Sequence, residues 1–565
     1  MNKSIIHFSI GILLLIGAPS CRKEAETEPR DLFTDNLVWD AKDKNATFAK
    51  QFLYNIYNYL PVGFNRVNGD FLDAASGDAI PSRNNTGTNI EYYTNGLVSV
   101  IQNPDTYWSN SYTGIRNANI FLANIDQVPA PPASIATWKA EARFIRAFMY
   151  FELLKRYGGI PLIGDKIFTL TDDLQIPRNT FEEVFNYIIS ECDATKGSLA
   201  PEPIIDTDWG RIPRGAAIAL KCRLYLYAAS PLLNGGAIAS PQKTKGLLGY
   251  TTNDPARWQK VIDAAEELKT LNYYALQSSF SGLFTTKKNT EIILAKQSVN
   301  NFDIEVNNAP VGYTNNGIQN FGRTSPTQNL VDAFTMTNGL PITDPLSGYN
   351  PAAPYTNRDA RLGATVFLNG TSWLNRAVET FEGGLDRPNN NAVQTKTGYY
   401  LRKYMANFAT NTSYSVQSHN FIYFRYAEIL LNYAEALNEM NRIEDAVTQI
   451  VLIRKRAGIT AGADNRCGIP AGISQTNMRA LIQNERRIEL AFEEHRFWDL
   501  RRWKIANSAL SGPLTGMKIV KTAPNTYTYA KVPVANMVFN DKLYFMPVPY
   551  DEITKNANLD QNPGW

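Results

Sequence analysis

The sequence predicts a mainly α fold: a helical-repeat scaffold with a large, irregular, loop-rich insert and a few short strands. Three observations point there. Apolar residues recur at helical spacing through most of 40–272 and 421–565. Small residues fall at the contact positions of successive helices. Between about 275 and 420 the period fades, and Gly, Asn, Pro and Thr take over.

The N-terminus comes first. Lys3 precedes an apolar run over 5–16, too short to span a bilayer and shaped like a signal peptide. Small residues Ala18-Pro19-Ser20 lead into Cys21, an imperfect lipobox without the usual Leu. The expected organisation is a lipoprotein signal peptide at 1–20, a charged tether at 21–35 lipidated on Cys21, and one domain over 36–565.

The scaffold follows. Residues 47–60 (TFAKQFLYNIYNYL) are apolar at 48, 52, 53, 56, 57 and 60. Residues 107–128 repeat the period, and Pro-rich VPAPPAS ends it. The next helix, 138–157, is apolar nearly all round at 144–154 and should be central. Gly158-Gly159 and Pro161 stop it. Helices are expected at 181–199, 213–233 and 255–271. Ala216, Ala217 and Ala219 on one, and Ala264 and Ala265 on another, let antiparallel partners approach closely. That makes the pairs tetratricopeptide-like, although no clean 34-residue period survives. Residues 424–458 give a clearer pair, with Ala427, Ala434, Ala446 and Ala457 at contacts, and one further helix should run over 477–503. Within the insert, EIILAK, ATVFLN and YYLRKYM read as short strands between turns such as Asn338-Gly339 and Asn369-Gly370. So much loop in a helical frame implies that the loops do something.

Composition excludes several functions. The chain has 565 residues, 56 Lys+Arg against 53 Asp+Glu, and 3 His. That balance gives no field for nucleic acid, and the histidines are too few for a multi-histidine metal site. With residues 1–20 removed, Cys192, Cys222 and Cys467 remain besides Cys21; Cys192 and Cys222, inside helical patterns, read as buried apolar groups. No nucleotide, metalloprotease, hydrolase-elbow or calcium-loop motif is present. The chain is instead rich in Tyr (29) and Asn (54), which suit the faces and hydroxyls of sugars.

Two stretches could carry chemistry. In 484–503 (NERRIELAFEEHRFWDLRRW), Glu485, Glu489 and Glu493 are spaced i, i+4, i+8 and so lie on one helical face. Carboxylates roughly 5–9 Å apart would suit a glycosidase. Yet Arg486, Arg487, Arg496, Arg501 and Arg502 interleave with them. Arg–carboxylate forks lower a carboxyl pKa, whereas a general acid needs it raised, so the stretch reads as a structural ion-pair lattice. His495 and Asp499 could hold a metal edge-on but lack a third ligand. The other stretch, 69–96, is long, polar and helix-poor, and it carries Tyr92-Tyr93. Tyr rings can stack on pyranose faces, and Asn, Asp and Arg can bond hydroxyls; a plain surface loop remains the alternative. Residues 307–323, with Tyr313, Phe321 and Arg323, form a second such loop.

Several segments together carry a resemblance: 107–119 (YWSNSYTGIRNAN), 141–163, 326–334 (PTQNLVDAF), 354–373, 421–439, 484–503 and 544–565. In this order they resemble the SusD/RagB family of outer-membrane nutrient-binding lipoproteins of starch-utilisation systems. The resemblance implies capture of an oligosaccharide or polysaccharide at the cell surface, on the outer face of the outer membrane. It implies a partner, a SusC-like TonB-dependent transporter, and neither catalysis nor a cofactor. The alternatives are a surface glycoside hydrolase using Glu485/Glu489 or Asp70/Asp78, and a binding protein for a non-glycan nutrient. By the resemblance, ligand contacts lie in loops at roughly 76–95 and 305–325. Chemical inference within those loops gives the candidate glycan contacts Asp78, Arg83, Asn84, Asn89, Tyr92, Tyr93, Tyr313 and Arg323.

Overall fold

The computed structural model describes residues 35–565 apart from 83–89, 237, 239–245, 390–391 and 408–412. Cys21 and the leader, and the candidates Arg83, Asn84 and Asn89, lie outside the described residues.

Antiparallel helices stack in chain order. Trp108–Asn124 packs on Pro132–Tyr157, which packs on Phe181–Thr195, then Arg214–Ala229 and Arg257–Thr270. The last of these packs on Tyr426–Glu439, across the whole insert in sequence. Ile443–Arg456 and Gln475–Glu489 complete the stack. The alanines explain the close spacing: Ala216, Ala217, Ala219, Ala264 and Ala265 are all buried. The central helix is Pro132–Tyr157, starting ahead of the expected Trp138 because Pro is tolerated in a first helical turn. Phe144, Phe148, Phe151, Leu153 and Leu154 are buried along it. Each stabilises the core by about 1.5–3 kcal/mol relative to exposure. Gly158 ends the helix at φ 77°, and a Cβ there would sit 2.4 Å from the Leu247 carbonyl oxygen.

Two features differ from the sequence expectation. The helix expected over 477–503 is two helices, Gln475–Glu489 and His495–Arg502. Phe492 (φ 62°) and Glu494 (φ 63°) take left-handed conformations between them. The Phe492 amide donates to buried Asp73 Oδ1 at 3.0 Å, and the Tyr404 hydroxyl donates to the Phe492 carbonyl at 2.9 Å. Tertiary bonds thus hold the break open. Secondly, Gly512–Ala523 and Thr526–Met537 form a long antiparallel hairpin inside the C-terminal scaffold segment. It turns at Pro524-Asn525, with Asn525 at φ 57°. Pro533 lies at its register shift, where a missing N–H costs little. Tyr527 packs on Phe381 and Tyr529 on Tyr355, pinning the hairpin to the insert.

The insert leaves and returns at one place. Ile292–Lys296 pairs antiparallel with Phe421–Arg425, with Lys296 opposite Phe421. Cys192, Cys222 and Cys467 are free and buried. Among the described residues no helix is long and apolar enough to cross a membrane.

Candidate functional site

One small sheet joins the two polar loops. Ala79–Pro81 pairs antiparallel with Thr324–Pro326, Ile80 opposite Ser325. Beyond the pair, the Ser82 amide donates to the Arg323 carbonyl at 2.7 Å. Thr327 locks the other end: its hydroxyl donates to the Gly77 carbonyl at 2.8 Å. Regions almost 250 residues apart in sequence therefore meet at Ser82 and Arg323.

A cavity of about 290 Å³ opens beside this junction, lined by Ser82, Arg387, Ala392, Gln394, Thr395, Lys396 and Val534. Its size is near the lower end of ligand pockets, consistent with a shallow cradle. Val534 comes from the hairpin, and Gln394–Lys396 precede the short strand Tyr400–Leu401. The Thr395 Oγ1 accepts from the amides of Thr397, Gly398 and Tyr399 at 3.1–3.2 Å, so this turn is rigid. Burial lowers the Lys396 pKa, opposed by the charges of Glu91 and Asp70. The Arg387 guanidinium donates to the Met517 carbonyl at 3.1 Å, which fixes it against the hairpin. The Ser82 hydroxyl and the Gln394 side-chain oxygen are buried and have no hydrogen-bond partner among the described residues. Cations, hydroxyls and amides at fixed positions can read sugar hydroxyls.

The structure redistributes the candidate residues. Asp78 is 1% exposed and accepts from Arg487 Nε at 2.7 Å, so it belongs to the scaffold. Tyr93 is 2% exposed, packs on Phe497, and its hydroxyl donates to Asn103 at 2.8 Å. Tyr313 is 1% exposed; its hydroxyl donates to the carbonyls of Trp373 and Arg376, and Arg376 covers its ring at 3.6 Å. None of these three offers a free face to a sugar, so they are corrected to packing residues. Tyr92 stays half-buried against the core. Arg323 stays at the junction, its guanidinium 5.1 Å from the ring centroid of Phe321. Phe321 is 39% exposed and is the aromatic that Tyr313 was expected to be. Lys396, Gln394 and Arg387 were missed altogether. The only signal for Gln394 and Lys396 was a polar run, AVQTKTG, ahead of a strand, and Arg387 lies outside it.

The carboxylate series forms a closed lattice. Arg361 bridges Glu485 at 2.7 Å and Glu489 at 2.9 Å. Arg425 bridges Glu291, Glu489 and Glu493, each at 2.7 Å. Arg454 pairs with Glu485, Arg456 with Glu489, and Lys403 with Glu493. Burial alone would raise the Glu489 carboxyl, but Arg456, Arg425 and Arg361 outweigh it and hold the pKa well below the usual range. Glu485 and Glu493 are lowered in the same way. A proton donor cannot be made from groups held so firmly ionised. Asp70 is also buried. Asp499 is engaged by Arg486 and Arg502 rather than by His495, and burial with nearby Arg223 holds the His495 pKa well below its usual value. Among the described residues no group of His, Cys, Asp or Glu could hold a metal ion.

Known proteins match this architecture. The profile described as "SusD family" matches residues 290–565, and that described as "Starch-binding associating with outer membrane" matches residues 49–226. SusD-like protein P2 of Formosa agariphila is 26% identical, over 83% of this chain and 81% of its own. The crystal structure of a SusD-like protein from Bacteroides fragilis superposes with a TM-score of 0.78 at 27% identity, covering 94% of this chain and 99% of that one. A laminarin-binding SusD-like protein superposes with a TM-score of 0.63 at 21% identity, covering 92% and 99%. The two profiles fall on the two halves of one continuous helical stack, and relatives match it nearly end to end: the chain belongs to the SusD family.

Proposed function

We propose that the protein binds an oligosaccharide or polysaccharide at the cell surface and delivers it to a SusC-like TonB-dependent transporter without altering it. The observation that carries this reading is the junction at Ser82 and Arg323. It ties Ser82, which lines a cavity together with Lys396, Gln394 and Arg387, to the segment that carries exposed Phe321 two residues before Arg323. Family membership and the laminarin-binding neighbour support a glycan as the ligand. The family's outer-membrane association and the leader before Cys21 support a lipid anchor facing outward.

In this reading Phe321 stacks on a sugar face, with Arg323 stiffening its ring. The Lys396 ammonium and the Ser82 hydroxyl donate to ring hydroxyls, and the Gln394 oxygen accepts from them. Binding in the micromolar to millimolar range, about −8 to −4 kcal/mol, suits a protein that must pass its ligand on. The test combines calorimetry on laminarin and soluble starch with an assay for new reducing ends. Retention without new ends is expected. New ends that vanish in Glu489→Gln would replace this reading with a glycosidase. Failure to co-purify with any outer-membrane transporter would remove the delivery step.

A further inference from the structure

A second cleft lies in the insert, away from the Ser82–Arg323 junction. It holds about 650 Å³, inside the range of roughly 300–1,000 Å³ typical of small-molecule sites. Phe284, Trp373 and Tyr404 form an aromatic floor, and Asn407 and Gln417 stand on its rim.

Arg402 gives the cleft its charge. Its guanidinium lies partly exposed in the wall, donates to the Gly363 carbonyl at 2.9 Å, and sits 5.3 Å from the Phe367 ring centroid. Among the described residues Arg402 makes no ion pair to a carboxylate, and no Asp or Glu lines the cleft. This contrasts with Arg361, Arg425, Arg454 and Arg456, each matched to buried carboxylates. Burial lowers the Arg402 pKa, as expected of a desolvated cation lacking a counter-charge.

Two bulky residues at this cleft also hold left-handed backbone. Leu374 (φ 54°) is the first turn residue between Ser372–Trp373 and Arg376–Ala377, a position that favours Gly. Tyr404 (φ 75°) is the second. Conformations of this kind are strained and gather at sites where ligands are clamped.

We infer that this cleft is a second saccharide subsite, selective for a sugar bearing a negative charge, a uronate carboxylate or a sulfate ester. The guanidinium fork bonds two of the anion's oxygens, Asn407 and Gln417 bond hydroxyls, and the apolar wall at Leu374 covers a ring face. The ligand class rests on the carbohydrate reading above; the location does not.

The probes are digalacturonate and galactose 6-sulfate, with neutral galactobiose and inorganic sulfate as controls, measured by calorimetry on the whole protein. At least one charged sugar should bind tenfold or more tightly than galactobiose and than free sulfate, and which one wins names the anion. Arg402→Gln should remove that preference. Gly363→Tyr provides an independent block, because a Cβ at Gly363 meets nothing within 4 Å and the backbone donor–acceptor pair is kept. It should abolish charged-sugar binding with the melting temperature unchanged, while laminarin or starch retention stays as in the parent. Charged and neutral sugars binding alike, free sulfate binding as well as the sulfated sugar, or binding untouched by Gly363→Tyr would each overturn the subsite. If neutral polysaccharide is also ignored, the carbohydrate reading falls with it.

Discussion

In the buried lattice Glu489 meets three guanidinium groups, and Arg425 meets three carboxylates. At the loop cavity, Lys396 and Arg387 face an open space with a serine hydroxyl and a glutamine amide. Both regions are rich in the same chemical groups. In the first, each carboxylate is matched by buried cations; in the second, Arg387 still pairs with Glu382 at 3.4 Å, but the Ser82 hydroxyl and the Gln394 oxygen have no partner among the described residues. Charge density along a sequence therefore says little about where a ligand binds. The decisive property is whether hydrogen-bonding groups are left without partners within the fold.

The largest test of this contrast strikes the lattice. Arg425→Ala leaves three carboxylates without their shared cation, and breaking a buried pair typically costs about 3–5 kcal/mol. Urea unfolding should show a loss of that order, or no folded protein. A loss below about 1 kcal/mol would mean the lattice does not anchor the insert.

The next test uses pH. Glu485, Glu489 and Glu493 have folded pKa values below the usual 4.5. Their stabilisation is complete above that value and is lost as pH falls below it. Asp73 works the other way. Burial, with Glu494 and Asp78 nearby, raises its pKa from 3.8 to about 8. Its contribution is complete below 3.8 and is lost as pH rises through about 8. Asp73→Asn keeps the acceptor for the Phe492 amide and removes the titration. The variant should be more stable to unfolding than the parent at pH 8, by on the order of a few kcal/mol, and the gap should close toward pH 4. A constant gap across that range would sink the assignment.

At the cavity, Phe321→Ala should weaken glycan binding five- to thirtyfold, about 1–2 kcal/mol by comparison with base–aromatic stacking, and leave the melting temperature unchanged. Tyr313→Phe should do the reverse, losing about 1 kcal/mol of stability for a buried hydroxyl bond while binding stays constant. If Tyr313→Phe alone reduced affinity, the distinction drawn between the two aromatics would be mistaken.

Most of the helical stack was legible because one apolar face per helix is a local property. The Glu–Arg run was also legible as a lattice, since its interleaved charges are adjacent in sequence. The break at Phe492–Glu494 was not, because its cause is Asp73 and Tyr404, remote in the chain. The hairpin left a trace, TYTYAKVPV with alternating character, interrupted by Pro533, which a strand tolerates here because it sits at the register shift. Tyr93 and Tyr313 failed as candidates for a simple reason. A tyrosine in a polar loop has the same local sequence whether its ring faces water or, like Tyr313, lies under Arg376.

Because Lys296 and Phe421 stand opposite each other in one strand pair, the chain between them begins and ends at a single clasp. Such an arrangement makes the segment exchangeable. The entropy of closing a loop grows only with the logarithm of its length, so doubling it costs about 0.6 kcal/mol. Loops of different length within that segment would burden the helical stack little, provided the cations that reach the lattice, Arg361 and Lys403, are kept. Diversification of the loops, with the frame and its ion-pair anchors retained, is what this geometry permits.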